Sequence, residues 1–191
     1  MAAMMFIRKG AESAALWSTG DILSQLVTTY TDGRDAGIPS SSASASSSSL
    51  VASFRAKYDP MRTGRAALYS FFIFTPIATR WYATLLRWFP EQNAKTVIKR
   101  VICDQIVFGT NINACYFICM PLLEGKPERI RPLLQDVWIP ATLRGWCWWA
   151  PVQMCNLYLT PPKYWMLVIN SAAIPWTCFL AYANSKKAGA S

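Results

Sequence analysis

The sequence predicts an all-α fold, a multi-pass integral membrane helical bundle with four or five transmembrane helices. Three observations carry that expectation. First, of 191 residues 53% are hydrophobic and only 15% charged, whereas a soluble domain is about a quarter charged. Second, aromatics make up 14%, nine of them tryptophan, a residue that favours membrane–water interfaces. Third, long stretches carry no charge: Gln105 to Leu123 (19 residues), Gly145 to Pro162 (18) and Tyr164 to Ser185 (22). A bilayer-spanning helix needs about 20 mostly apolar residues. The competing reading is a soluble bundle of long buried helices, which a chain this small would struggle to cover.

Each element follows in order within one membrane domain, 1–191. A first helix is expected over about 6–30, because Ala14, Trp17, Asp21 and Gln25 share one face at 3.6-residue spacing. Its start carries Arg8 and Lys9 and no acid before Glu12, a pattern loosely like a mitochondrial address. The run "PSSSASASSSS", 39–49, holds eight serines. Serine-rich sequence buries little surface, so a flexible loop is expected over about 31–58. A second helix is expected over 60–88, opened by Asp59 and Pro60, since proline suits a first helical turn. Pro76 should kink it. A third is expected over 92–122, ended by Gly125 and Pro127. A short amphipathic helix is expected over 128–136, a fourth span over 137–159, and a fifth over 163–186 after "TPP".

The net charge is +9. The Lys and Arg residues lie between apolar stretches, and no basic run exceeds two. That is the distribution of membrane loops and not of a nucleic-acid-binding face. The expected partners are therefore the lipid bilayer and small-molecule or ion solutes, with homo-oligomer formation open and no direct nucleic acid binding. The chain has no histidine, which excludes a Ser-His-Asp triad, a Cys-His pair and any imidazole metal site. Its ten acids are scattered. No enzyme activity, metal or cofactor is expected. The six cysteines include no C-x-x-C pair and read as small apolar residues.

Candidate functional residues are polar groups inside apolar spans. In "WCWWAPVQMCN", 146–156, helical geometry places Trp146, Trp149, Gln153 and Asn156 on one stripe. Gln153 and Asn156 facing lipid would leave donors and acceptors unpaired, so they should face other helices or water. They would serve as interhelical glue or as the wall of a wet pore. Ionisable residues within spans point to function: Asp21, Arg80 and Asp104. Arg80 is expected to pair with Asp21 or Asp104. The alternative is that Asp104 sits near a helix end, one turn from Lys99 and Arg100.

These residues resemble a known pattern. Gly20, Asp21 and Gln25 match a Gly-Asp then Gln of a first helix. Asp59, Arg62, Arg65, Pro76, Trp81 and Tyr82 match the second, and Asp104–Gln105 an Asp-Gln pair of the third. Trp146, Trp149, Pro151, Gln153, Asn156, Pro161 and Trp176 match a long closing motif. The chain thus resembles the family of the Mpv-seventeen mitochondrial inner membrane protein and the twenty-two-kilodalton peroxisomal membrane protein. It departs at Thr75, where the family shows glycine, and at Thr110, where it often has proline. The resemblance implies a pore or metabolite-permeability channel supporting mitochondrial homeostasis. It implies a mitochondrial inner membrane location in preference to a peroxisomal membrane. The candidates for a conducting polar seam are Asp21, Gln25, Asp104, Gln105, Gln153 and Asn156, with Trp146 and Trp149 shaping it, a placement inferred from these residues and not supplied by the family. The alternatives are a non-conducting membrane-organising protein and a peroxisomal membrane pore.

Overall fold

A computed structural model describes the backbone of residues 2–35 and 43–188, and the side chains of residues 4, 6–31 and 50–178. Among the described residues all regular structure is helical, with no strand. Helix α1 is Ala2–Asp35 and α2 is Ala43–Lys57. The third stretch, 60–88, consists of α3 (Pro60–Tyr69), a π-helical turn (Ser70–Phe74) and α4 (Thr75–Trp88). The fourth, 94–123, repeats that plan, with α5 (Ala94–Cys103), a π turn (Asp104–Gly109) and α6 (Thr110–Leu123). Short turns lead through α7 (Ile130–Pro132) and a π turn (Leu133–Val137) into α8 (Trp138–Leu159). Helix α9 is Trp165–Ala188.

Local chemistry sets the boundaries. The Asp59 side chain accepts from the Arg62 N–H, with Pro60 in the first turn. Asn93 caps α5 the same way, accepting from the Thr96 N–H at 2.8 Å. The 94–123 stretch ends where Gly125 takes φ 70°. There the Lys126 N–H reaches back to the Pro121 carbonyl and the Gly125 N–H to Leu122, a closure that favours glycine. Pro76 is accommodated by the π turn before it. The Thr75 N–H bonds to the Ser70 carbonyl, five residues back, and the Thr75 hydroxyl donates to the same oxygen at 2.7 Å. Thr110 repeats the device on the Gln105 carbonyl at 3.0 Å.

Two expectations need correction. The 31–58 stretch is not a loop throughout: α1 continues to Asp35, and α2 occupies Ala43–Lys57. Alanine recurs among the serines there and is the strongest helix former. Leu50, Val51 and Phe54 supply apolar residues, and Arg55 and Lys57 suit the C-terminal dipole. Positions 36–42 lie outside the described residues. The short helix expected over 128–136 is not separate, because its π turn runs directly into α8.

Helix α1 and α9 run parallel, since Ser13 meets Asn170 and Gly20 meets Ile174 and Thr177. The other neighbours alternate in direction. Trp81 meets Asp104 while Tyr69 meets Ile112, and Asp104 meets Gln153 while Asn113 meets Thr142. Contacts run from α1 to 60–88, to 94–123, to α8, to α9 and back to α1. The result is a closed cycle of five helical stretches.

Buried polar side chains lie beside an apolar core of Phe74, Leu85, Val97, Phe108 and Leu157, and many large apolar side chains are bare. Ser13, Ser70, Thr75, Asp104, Gln153 and Asn156 are buried, whereas Leu68, Phe72, Ile98, Ile102, Ile106 and Tyr158 are exposed. The stretch Ala94–Leu123 is long and apolar enough to cross a membrane, yet only 17% of its most apolar part is buried. The core helix of a soluble protein would be mostly buried. Among the described residues no other helix reaches the same apolarity. Arg80, Arg144 and the many tryptophans and tyrosines lower the mean hydropathy in the 60–88 stretch and in α8.

Candidate functional site

Two polar clusters occupy opposite ends of the cycle. The first gathers on Asp104, where the π turn of the 94–123 stretch turns its carboxylate inward. Trp81 Nε1 donates to Oδ1 at 2.9 Å, and Gln153 Nε2 donates to Oδ2 at 2.6 Å. Gln105 Nε2 adds a longer contact at 3.4 Å. The Gln153 amide also reaches the Tyr82 hydroxyl at 2.7 Å. Asn156 donates to Gln153 Oε1 and to the Trp165 carbonyl, each at 3.3 Å. A neutral network thus holds one carboxylate, with no Lys or Arg in ion-pair distance among the described residues.

Arg100 is fully buried one turn before Asp104 but does not pair with it. Its guanidinium donates to the Phe89 carbonyl at 3.1 and 2.5 Å and to the Glu91 carbonyl at 3.1 Å, and lies over the Trp165 ring. It staples the turn between the 60–88 and 94–123 stretches.

The second cluster is centred on Asp21. Arg62 Nε lies 2.8 Å from Oδ1, while Gln25 Nε2 and the Thr63 hydroxyl each donate to Oδ2 at 2.7 Å. Gln25 also accepts from the Asp59 N–H at 2.8 Å. Asp21 therefore anchors α1 to the start of α3. Along the 60–88 stretch, Thr63 and Tyr82 are 19 residues apart, or about 28 Å at 1.5 Å per residue.

An aromatic layer fills the space between the clusters. The Trp17 ring packs on Tyr69, Phe74 and Tyr116 at centroid distances of 5.5, 5.2 and 6.4 Å. Phe108 continues it, stacked on Trp81 at 5.8 Å. A third polar contact crosses from α1 to α9: Trp17 Nε1 donates to Asn170 Oδ1 at 3.2 Å, and Asn170 Nδ2 to the Ser13 hydroxyl at 2.6 Å.

The structure brings Asp104, Gln105, Gln153 and Asn156 together, and Asp21 with Gln25, but not the two groups with each other. Arg80 pairs with neither aspartate. It is exposed and lines a groove on the outer side of Trp81. Arg62 lies one α1–α3 contact from Asp21, whereas Trp81, next in sequence, points inward in place of Arg80. Trp146 and Trp149 are half-buried, Trp149 packs on Trp176 and against the core, and neither donates to Asp104. Thr63 and Trp165 complete the two clusters, Asn170 the α1–α9 contact and Arg100 the adjoining turn, without having been singled out as site residues. A basic residue one turn before an acid, at Arg100, was the available signal. Asn170 offered one too, as an amide inside a charge-free span.

A family model described as "Mpv17 / PMP22 family" matches residues 121–181, which include Gln153, Asn156, Trp165 and Asn170. Protein SYM1 of Gibberella zeae is 38% identical over 132 residues, covering 68% of this chain and 74% of that protein. Protein SYM1 of Saccharomyces cerevisiae is 33% identical over 135 residues, 68% of each chain. Protein SYM1 of Candida glabrata is 35% identical over 179 residues, 91% of this chain and 81% of that protein. No solved structure matches. An all-helical cycle with bare apolar residues on its outside, buried polar residues at the motif positions, and relatives matched over most of their length agree: the chain belongs to the Mpv17 / PMP22 family of membrane proteins.

Proposed function

We propose that the chain spans an organelle membrane with five helical stretches and conducts small solutes or ions through the interior of the cycle. The observation that supports this reading is the distribution of burial: polar side chains such as Ser70, Asp104, Gln153 and Asn156 are buried beside the apolar core, while Leu68, Phe72, Ile98, Ile102 and Ile106 are bare on the outer face. An exposed apolar surface on this scale marks contact with lipid or a partner. Helix α8 has 22 residues and α9 has 24, about 33 and 36 Å of helix. Both match or exceed a hydrocarbon core of about 30 Å.

On this reading the Asp21–Gln25 and Asp104–Gln153–Asn156 clusters are the two mouths. The Trp17–Tyr69–Phe74–Tyr116 layer is a closed constriction between them. Asp104, without a basic partner, favours cations at its mouth. The chain is then a conduit and not a catalyst, the bilayer and the solute are its partners, and assembly of several copies is compatible with its outer surface. The family resemblance and the basic start favour the mitochondrial inner membrane over the peroxisomal one, which imaging of a tagged chain against both organelle markers would decide.

Reconstitution in liposomes tests conduction. Wild type should pass small cations above the empty-vesicle level, and Trp17→Ala should raise that flux at least threefold by opening the layer. Absence of flux in both proteins would sink the proposal. One observation favours a second reading, a membrane-organising scaffold: both Asp104 oxygens already have donors, as interhelical glue requires. That reading expects no flux from Trp17→Ala and a large loss of stability.

A further inference from the structure

We propose that the outer groove between the 60–88 and 94–123 stretches is a binding site for an anionic phospholipid, with its phosphate on Arg80 and an acyl chain in the groove. The groove has a volume of about 490 Å³, within the usual range for ligand clefts of about 300–1,000 Å³. Its walls are mainly apolar, formed by Ile77, Trp81, Val107, Phe108 and Ile112, and Arg80 is its one ionised side chain.

Three features select the occupant. First, Arg80 has no hydrogen bond or ion pair from its guanidinium among the described residues. A guanidinium on an apolar surface lacks a counter-ion, and its fork suits a phosphate. Second, the groove opens on the exposed face of the 94–123 stretch, where Ile106 and Val107 are bare. Acyl chains reach it without crossing protein. Third, Arg80 lies eight residues before Trp88, about 12 Å of helix. Trp88 is exposed and adjoins the end of the cycle bearing Arg87, Lys95, Lys99 and Lys163. An arginine at that depth extends toward the headgroup level, so a headgroup can meet it while the chain lies below.

Trp81 gives the site a consequence. One edge of its indole walls the groove, its face stacks on Phe108 and its Nε1 holds Asp104. A lipid seated in the groove would therefore press on the residue that orders the Asp104 cluster.

The site rests on the membrane-spanning reading, and the test keeps the two apart. Full-length chain purified in a neutral detergent is titrated with dioleoylphosphatidylglycerol, dioleoylphosphatidylcholine, oleate or inorganic phosphate, and bound copies are counted by native mass spectrometry. Phosphatidylglycerol should bind at least tenfold more tightly than phosphatidylcholine, and inorganic phosphate should not compete at millimolar levels. Oleate binding as tightly as phosphatidylglycerol would overturn the headgroup assignment. Arg80→Gln should remove the preference, and Ile112→Trp should weaken both lipids by filling the groove. Arg87→Gln should leave the preference intact. An unchanged preference in Arg80→Gln, or unchanged binding in Ile112→Trp, overturns the site. Retention of the wild-type chain in carbonate-washed membranes alongside either result would remove the lipid site alone and leave the spanning reading standing.

Discussion

Asp104 depends on neighbours from two other helical stretches, so its energetics belong to the network and not to any one pair. Gln153 is the hub: it donates to Asp104 and Tyr82 and accepts from Asn156. Gln153→Leu strips all three contacts and leaves buried polar atoms without partners, at about 1–3 kcal/mol for such a group. The melting temperature in detergent should fall accordingly. Combined with Asp104→Asn, the loss should be smaller than the sum of the single losses, because both changes break the same network. Additive losses would show that the two side chains act separately. At the other cluster the ion pair is Arg62 with Asp21, not Arg80 with either aspartate. Arg62→Gln should destabilise, and Asp21→Asn in the same chain should recover part of the loss, a coupling of about 1 kcal/mol for a half-exposed pair. Arg80→Gln should be additive with both Asp21→Asn and Asp104→Asn.

Among the elements, the π turns decide which residues face inward. Each adds a residue to its helix, which offsets the following stretch by about 100° relative to an unbroken α-helix. Ser70–Phe74 and Asp104–Gly109 are both closed by a threonine hydroxyl on the carbonyl five residues back. Those threonines are Thr75 and Thr110, two of the positions where the chain departs from the pattern it resembles, alongside Leu68, Ser70, Phe71, Gly145, Ala150, Leu157 and Trp165. The contact of α1 with the 60–88 stretch is equally specific. A Cβ on Gly10 would stand 2.8 Å from the Phe71 ring, so Gly10→Ala forces that ring aside. The expected cost is about 1–3 kcal/mol, as for other overpacked sites. Phe71→Leu in the same chain should return most of it, which thermal melts of the three variants would check. Gly125, at φ 70° with open space around it, should lose about 1–2 kcal/mol on mutation to alanine through backbone strain alone. An unchanged melting temperature there would mean that the turn relaxes to another conformation.

For the whole molecule, the decisive quantity is the environment of the outer face. Ile106 is 55% exposed. In water Ile106→Lys would be worth within about 0.5 kcal/mol of nothing, as at an ordinary surface site. In a bilayer the same change costs about 2.5–3.5 kcal/mol near the centre of a span. The membrane-inserted fraction of Ile106→Lys should therefore drop several-fold relative to wild type, measured by carbonate extraction and protease protection. Full insertion of the variant would argue that this face meets protein or water instead of lipid.

The sequence by itself determined that the chain is helical and apolar, because charge-free runs, caps and proline positions are local features. Asp59 and Asn93 act on N–H groups three residues away, and Gly125 ends a helix by its own φ, so their roles are legible in a linear string. The same locality identified Asp21, Gln25, Asp104, Gln105, Gln153 and Asn156 as polar residues in the wrong solvent. Which of them meet was not local. A single added residue in a π turn rotates every side chain beyond it, and the expectation for Arg80 rested on its charge within a span, which does not say which way a side chain points; Trp81 was therefore not considered as the donor to Asp104. Helical order in the serine-rich segment was hidden for a related reason: composition reports how little surface a segment can bury, not the modest helical preference of alanine among serines. Only the tertiary structure split the expected seam into two clusters. The aromatic layer dividing them is assembled from Trp17, Tyr69, Phe74 and Tyr116, which come from three separate stretches of chain and meet only when those stretches pack side by side.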